Sequence, residues 1–324
     1  MTPAGAGTGA GDVLRYDELQ RLGRPGRWRG VVGIGLVFVG VFVLASYVAL
    51  LPFVVFYAAS GRDVGEAISR TVDLDAVTPG GLAWLFATLS AGIVVVWFVT
   101  RLLHSLALGW VSSVYGRLRW RYLVACLGVS LVVLVLTLIV GSMLPGVAEQ
   151  AAEQGSVGLN EITTRTRAFL AVIVLMTPFQ AAAEEYIFRG YLVQALGGLV
   201  AARTVSVGGS ALLFALAHGS GQGWPVFIDR LAFGVMAGLL VLITGGLEAA
   251  IAMHVLNNVV ALGIAVLVGD VQDALAPSGG SWWMVLSTLF RSAAYLLLAW
   301  WAARAMGLTN AVRAPVLARA EDPV

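Results

Sequence analysis

The feature that most constrains this chain is a succession of eight apolar runs, at residues 31–59, 80–100, 122–147, 168–188, 204–218, 226–244, 247–268 and 282–303. Most reach the roughly 20 residues a helix needs to cross a hydrocarbon core about 30 Å thick. Within lipid a spanning segment must pair its own backbone N–H and C=O groups, which for runs of this length means helix. Composition agrees: 59% of residues are hydrophobic and 12% are charged, where a soluble domain has about half and about a quarter. The expected fold is all-α, a polytopic membrane protein built as a bundle of about eight transmembrane helices. The fifth run is short. The first is long and carries Pro52, the mark of a kink or an interfacial end.

The polar flanks divide the chain into three parts: a cytosolic N-terminal segment 1–30, a transmembrane helical domain 31–306, and a cytosolic C-terminal tail 307–324. Residues 1–11 are rich in Gly, Ala and Thr and are expected to be disordered. Residues 12–30 read as a juxtamembrane segment with Arg15, Arg21, Arg24, Arg27 and Arg29. The polar residues ahead of the first apolar run are not the layout of a signal peptide.

All 20 basic residues are arginine, which fits the codon bias of a GC-rich bacterium and is not a nucleic-acid signature. With the N-terminus inside, thirteen arginines fall on inner segments and five (Arg62, Arg70, Arg165, Arg167, Arg230) outside. That bias favours both termini in the cytosol and a multi-pass protein of the bacterial plasma membrane. The single cysteine, Cys126, rules out an intrachain disulfide and a multi-cysteine metal site.

Three short polar patterns interrupt the apolar helices: Glu184-Glu185-x-x-x-Arg189, Phe214-x-x-x-His218 and His254-x-x-x-Asn258. An ionisable group at membrane depth costs at least about 2.5–3.5 kcal/mol on insertion scales, so it usually faces a protein interior or a wet cavity. Glu185 and Arg189 are i,i+4 neighbours with the acid first, the better order for a helical ion pair. Their mutual neutralisation leaves Glu184, about 100° round the helix, free to act as a general base. A purely structural network of both glutamates and Arg189 is the alternative. His218 closes its span ahead of a Gly-rich turn, where a capping histidine is the bland reading. His254 and Asn258 share one face a turn apart, suited to donating hydrogen bonds to an oxyanion or simply to bridging helices. Together the four residues supply what amide hydrolysis needs.

These motifs, Glu184-Glu185-Tyr186-Ile187-Phe188-Arg189-Gly190-Tyr191-Leu192, Leu213-Phe214-Ala215-Leu216-Ala217-His218 and His254-Val255-Leu256-Asn257-Asn258, resemble those of the CAAX-processing and bacteriocin-processing family of intramembrane proteases, which includes the type II CAAX prenyl endopeptidases. The resemblance covers about residues 168–268. It implies that Glu184 activates water with His218, and that His254 and Asn258 steady the oxyanion. Glu185, Arg189 and Phe214 match supporting motif positions. It also implies a membrane-associated protein or peptide as substrate.

The family has been described both as metalloproteases and as Glu/His proteases without metal. A zinc ion would take Glu184, His218 and His254 as ligands. His-Glu-x-x-His is absent and the Asn258 carboxamide is a poor zinc ligand, so no required cofactor is the favoured expectation. Two other classes stay open: an inactive scaffold or bacteriocin-immunity protein, and a proton-coupled transporter, although no pair of related halves is visible.

The remaining features have quieter readings. His104, among inner arginines, is expected to be solvated or lipid-facing. Arg291, mid-span, should have an acidic or carbonyl partner. Glu248 sits at a cytosolic entrance or pairs with an arginine. Gly234-x-x-x-Gly238 permits close helix contact, and Trp282-Trp283 and Trp300-Trp301 mark the two interfaces of the last span.

Overall fold

The computed structural model describes residues 12–143, 158–200, 202–219, 221–275 and 280–313. The stretch 1–11 and the end of the third apolar run lie outside the described residues. Eight helices account for the apolar runs. They are α1 (Arg27–Ala59), α2 (Pro79–His104), α3 (Trp120–Met143), α4 (Thr164–Leu199), α5 (Arg203–Ala217), α6 (Trp224–Thr244), α7 (Glu248–Val268) and α8 (Trp282–Ala305). Seven are long and apolar enough to cross a membrane; α5 is the shorter one. Pro52 does not end α1. The ladder departs from α-helix earlier, in a π-helical turn at Gly40–Ala45. A second π segment, Thr100–His104, closes α2, and a third, Tyr186–Leu192, lies inside α4.

The helices pack as a bundle in which α6 lies between α5 and α8, and α7 lies between α3 and α4, while α2 covers α4. Gly234 and Gly238 bring α6 against α5. A Cβ at Gly234 would lie 2.9 Å from that of Ala211, and one at Gly238 would lie 2.7 Å from Val207 Cγ1. These contacts also fix α5 and α6 as antiparallel. Trp282, Trp283, Trp300 and Trp301 are all exposed at the two ends of α8, where amphipathic rings meet headgroups.

The N-terminal segment is an integral part of this packing. Val13–Arg15 (β1) pairs antiparallel with Ala311–Arg313 (β2), with Val13 opposite Arg313. A 3₁₀ helix follows at Tyr16–Leu22 and lies against the end of α4. Its Tyr16 and Leu19 are fully buried, and the Tyr16 hydroxyl donates to the Val111 carbonyl. Because β1 and β2 pair, the two ends of the described chain lie on one side of the bundle.

One buried ion pair in this frame joins Arg119 to Glu248. Glu248 at the start of α7 accepts from Arg119 Nε at 2.9 Å, from Nη2 at 2.6 Å and from the Arg119 amide at 2.7 Å. Nη1 of the same guanidinium donates to the Thr244 carbonyl at 2.9 Å. Of the two readings for Glu248, the arginine pair is the one realised. His104 corrects the sequence reading. It is 3% exposed, and its Nε2 lies 2.9 Å from the Tyr191 hydroxyl, because the π turn swings it inward onto α4. Arg291, expected to have an acidic or carbonyl partner, forms no ion pair within 4 Å among the described residues. Arg230, counted above with the outer loops, lies within α6.

Candidate active site

The centre of the site is the junction of α4 and α7. Glu184 and Glu185 end the regular α-helical part of α4, and the π segment carries Arg189. A π turn widens the helix by a residue and is common where side chains must be re-aimed. Arg189 Nη1 donates to Glu185 Oε1 at 3.0 Å, with both side chains essentially inaccessible. The rest of the guanidinium has no hydrogen-bond acceptor. It lies over the Phe214 ring at 4.1 Å and the Phe233 ring at 5.5 Å, whose π faces attract a cation.

From α7, His254 projects into this ion pair. Its Nδ1 lies 2.7 Å from Glu185 Oε1, and its Nε2 lies 3.5 Å from Glu184 Oε2. A carboxylate only accepts, so Nδ1 carries the proton and Nε2 is turned to Glu184. Phe233 packs edge-on against the imidazole at 5.1 Å, and Phe214 does so at 6.1 Å. Glu185 and Arg189 thus fix the tautomer and tilt of His254. Glu184, 7% exposed, stands on the other side of the ring.

One further residue belongs here that the motifs did not name. Gln180, a turn before Glu184, donates to Glu184 Oε1 at 2.6 Å and accepts from Asn258 Nδ2 at 3.4 Å. Its amide therefore joins the α4 carboxylate to the α7 carboxamide. The signal was present in the sequence as an amide four residues before an in-membrane acid. Asn257 lies beside Asn258 at 3.3 Å and adds no other contact to the cluster.

His218 follows the last turn of α5. Its Nδ1 donates to the Phe214 carbonyl at 2.8 Å, which leaves Nε2 unprotonated in the neutral ring. It has no ion-pair contact with Glu184 among the described residues. Its link to the cluster is Phe214, whose ring lies 4.6 Å from His218. Ser210 on α5 donates to the Phe188 carbonyl on α4 at 2.6 Å. From that antiparallel contact, Phe214 is about level with Glu184 and His218 about one turn away, at 1.5 Å per residue. Gln222 satisfies the end of α5 by donating to Ala215 and Gly219 carbonyls.

Among the described residues, no three His, Cys, Asp or Glu side chains are grouped so as to hold a metal ion. Glu184, His218 and His254, the set considered for zinc, do not form such a group in this arrangement. The structure thus gathers Glu184, Glu185, Arg189 and His254 directly, Asn258 through Gln180, and His218 through Phe214.

Comparison with known proteins bears on this same stretch. Residues 166–260 match the Rce1-like family, described as type II CAAX prenyl endopeptidase Rce1-like. That range contains all three motifs and leaves the first half of the bundle unmatched. A relative in Bacillus subtilis (strain 168), the uncharacterized protein YyaK, is 35% identical over 98 residues. The alignment covers 28% of this chain and 31% of that relative, so less than a third of the relative's length is spanned. No solved structure matches.

Proposed function

We propose that this protein is an intramembrane endopeptidase, similar to type II CAAX prenyl endopeptidases, that hydrolyses a peptide bond of a membrane-associated protein or peptide. The observation that carries the reading is the buried contact of Glu184 with His254 across two helices, within the segment matched by the Rce1-like family.

The roles proposed for the residues are those the resemblance implies, and the contacts described above support them. Glu184 takes a proton from water as that water attacks the scissile carbonyl, with the lone pair of His218 Nε2 as its partner. The tetrahedral intermediate carries an oxyanion, and His254 Nε2 and the Asn258 carboxamide are its donors. His254 can donate from Nε2 only when both ring nitrogens hold protons. The Glu185 carboxylate accepts from Nδ1, and Arg189 holds the carboxylate in place. The proton held by Glu184 then passes to the leaving amine. His218 must approach Glu184 when substrate binds, since apo contacts of this kind are often loose.

The test is cleavage of a membrane-tethered peptide library by purified protein, wild type against Glu184→Ala, each with and without chelator. Cleavage by wild type that disappears in the variant supports the reading, and insensitivity to chelator supports the metal-free route. Undiminished cleavage by Glu184→Ala would remove Glu184 as the base.

A further inference from the structure

At the end of the bundle where the two chain termini pair, a cavity of about 760 Å³ opens between α5, α6 and α8, away from the site above. Such a volume is within the usual range of about 300–1,000 Å³ for small-molecule sites. Its lining is divided by polarity. Arg15, Arg203 and Arg304, with Thr204, Thr309 and Asn310, form one part. Val235, Leu239, Leu242 and Ile243 of α6, with Val207 of α5 and Trp300 of α8, form the other. The α6 wall from Val235 to Thr244 runs about 13 Å at 1.5 Å per residue.

The charges are arranged for an anion. Three guanidiniums share the cavity with a single acid, Asp17. Arg15 lies 3.7 Å from Glu18, and Arg304 stacks over Trp300 at 5.2 Å. Asp17 is 5% exposed, and its Oδ1 has no hydrogen-bond partner. Burial, then the charge of Glu18, pushes its carboxyl above the usual range. Guanidinium forks match phosphate oxygens in bidentate fashion, and the juxtamembrane position sets them at headgroup level. A bare phosphate would leave the α6 wall unfilled.

We propose that this cavity is a binding site for an anionic phospholipid, its phosphate among Arg15, Arg203 and Arg304 and an acyl chain along α6. The bound lipid ties the terminal segments to α5 and α6, the helices that carry Phe214, His218 and Phe233.

The test is native mass spectrometry of the full chain in detergent, titrated with phosphatidylglycerol or phosphatidylcholine. Wild type should favour phosphatidylglycerol by about tenfold or more. Arg203→Gln and Arg304→Gln should each lower that preference about fivefold, the order expected of one basic residue at a headgroup. Gly208→Leu places a side chain where a Cβ meets nothing within 4 Å. It should weaken lipid binding with no change of charge. Arg121→Gln, outside the cavity, should leave the preference unchanged. Preference retained in both arginine variants, or undiminished lipid binding in Gly208→Leu, overturns the proposal, as does equal loss in Arg121→Gln, which would indicate general charge attraction. Displacement of the lipid by millimolar glycerol phosphate would overturn the choice of a lipid in favour of a soluble anion.

Discussion

Replacing Glu248 by leucine removes the acceptor of three hydrogen bonds at once, two from the Arg119 guanidinium and one from its amide. Only the bond from Nη1 to the Thr244 carbonyl survives. The side chains are 0% and 6% exposed, so water cannot substitute. Leaving one member of a buried ion pair unpartnered costs about 3–5 kcal/mol. Arg119→Met should cost a similar amount by stranding the carboxylate. The double variant removes both charges and fills the space with apolar atoms, which is often close to neutral. Here the Arg119-position amide and the Thr244 carbonyl lose partners, at about 1–3 kcal/mol. With that cost for each of the two groups, the double variant should be about 2–6 kcal/mol less stable than wild type, below the sum of the singles at about 6–10. Arg119 lies just before α3, at the membrane edge, so the unfolded chain can rehydrate both groups and the coupling is not hidden by lipid. Equilibrium unfolding in mixed detergent–SDS micelles, followed by tryptophan fluorescence, reads all four species of the cycle. Additive costs, or singles below about 1 kcal/mol, would refute the argument that this pair is desolvated and mutually dependent.

Other consequences follow from single contacts. Gln180→Leu keeps the bulk but removes the donor to Glu184 and the acceptor for Asn258; on a cleaved peptide kcat should fall about tenfold or more, since a hydrogen bond to a charged group contributes about 1.5–3 kcal/mol. An unchanged kcat would make Gln180 a bystander. Gly234→Ala puts a methyl 2.9 Å from the Ala211 Cβ, and overpacking should cost about 1–3 kcal/mol in the same SDS titration; a stabilised variant would mean that α5 and α6 separate freely. Asp17 has a folded pKa raised by burial and by Glu18, so the fold binds the proton more tightly than the unfolded chain does. Its contribution is fully present below about pH 4, the range of a free aspartate, and is lost as pH rises through the raised value. Asp17→Asn should be at least as stable as wild type at pH 7, with the advantage shrinking on acidification. An advantage that grows toward low pH would reverse the assignment.

Much of this architecture was legible because lipid leaves a chain few choices. Apolar runs had to be helices, and Glu185 with Arg189, or Gly234 with Gly238, needed only the helical repeat to be placed on one face. What escaped was whatever depends on departures from that repeat or on distant segments. His104 reads as surface beside Arg101, yet a π turn rotates it onto Tyr191. The N-terminal arginines read as a juxtamembrane segment, but Tyr16 and Leu19 bury themselves under α4, a contact no local pattern encodes. Arg119 and Glu248 meet across 129 positions. Gln180 was hidden by ordinariness, since an amide in an Ala-rich turn carries no charge to draw notice. Within the candidate site, the motifs identified the residues, while the link of Asn258 to Glu184 through Gln180 required coordinates.

The pairing of Val13 with Arg313 also has a bearing on biosynthesis. The first strand leaves the ribosome well ahead of its partner, which emerges only after roughly 300 more residues. At about 5–20 residues per second, that is an interval of roughly 15–60 s. Tyr16 and Leu19 can seat once the end of α4 has been made, but the clasp cannot close until β2, beyond the eighth helix, has emerged. A ribosome stalled before that point would hold an open-ended bundle, recognisable by cleavage of its N-terminal segment with added protease. The finished protein should resist the same treatment.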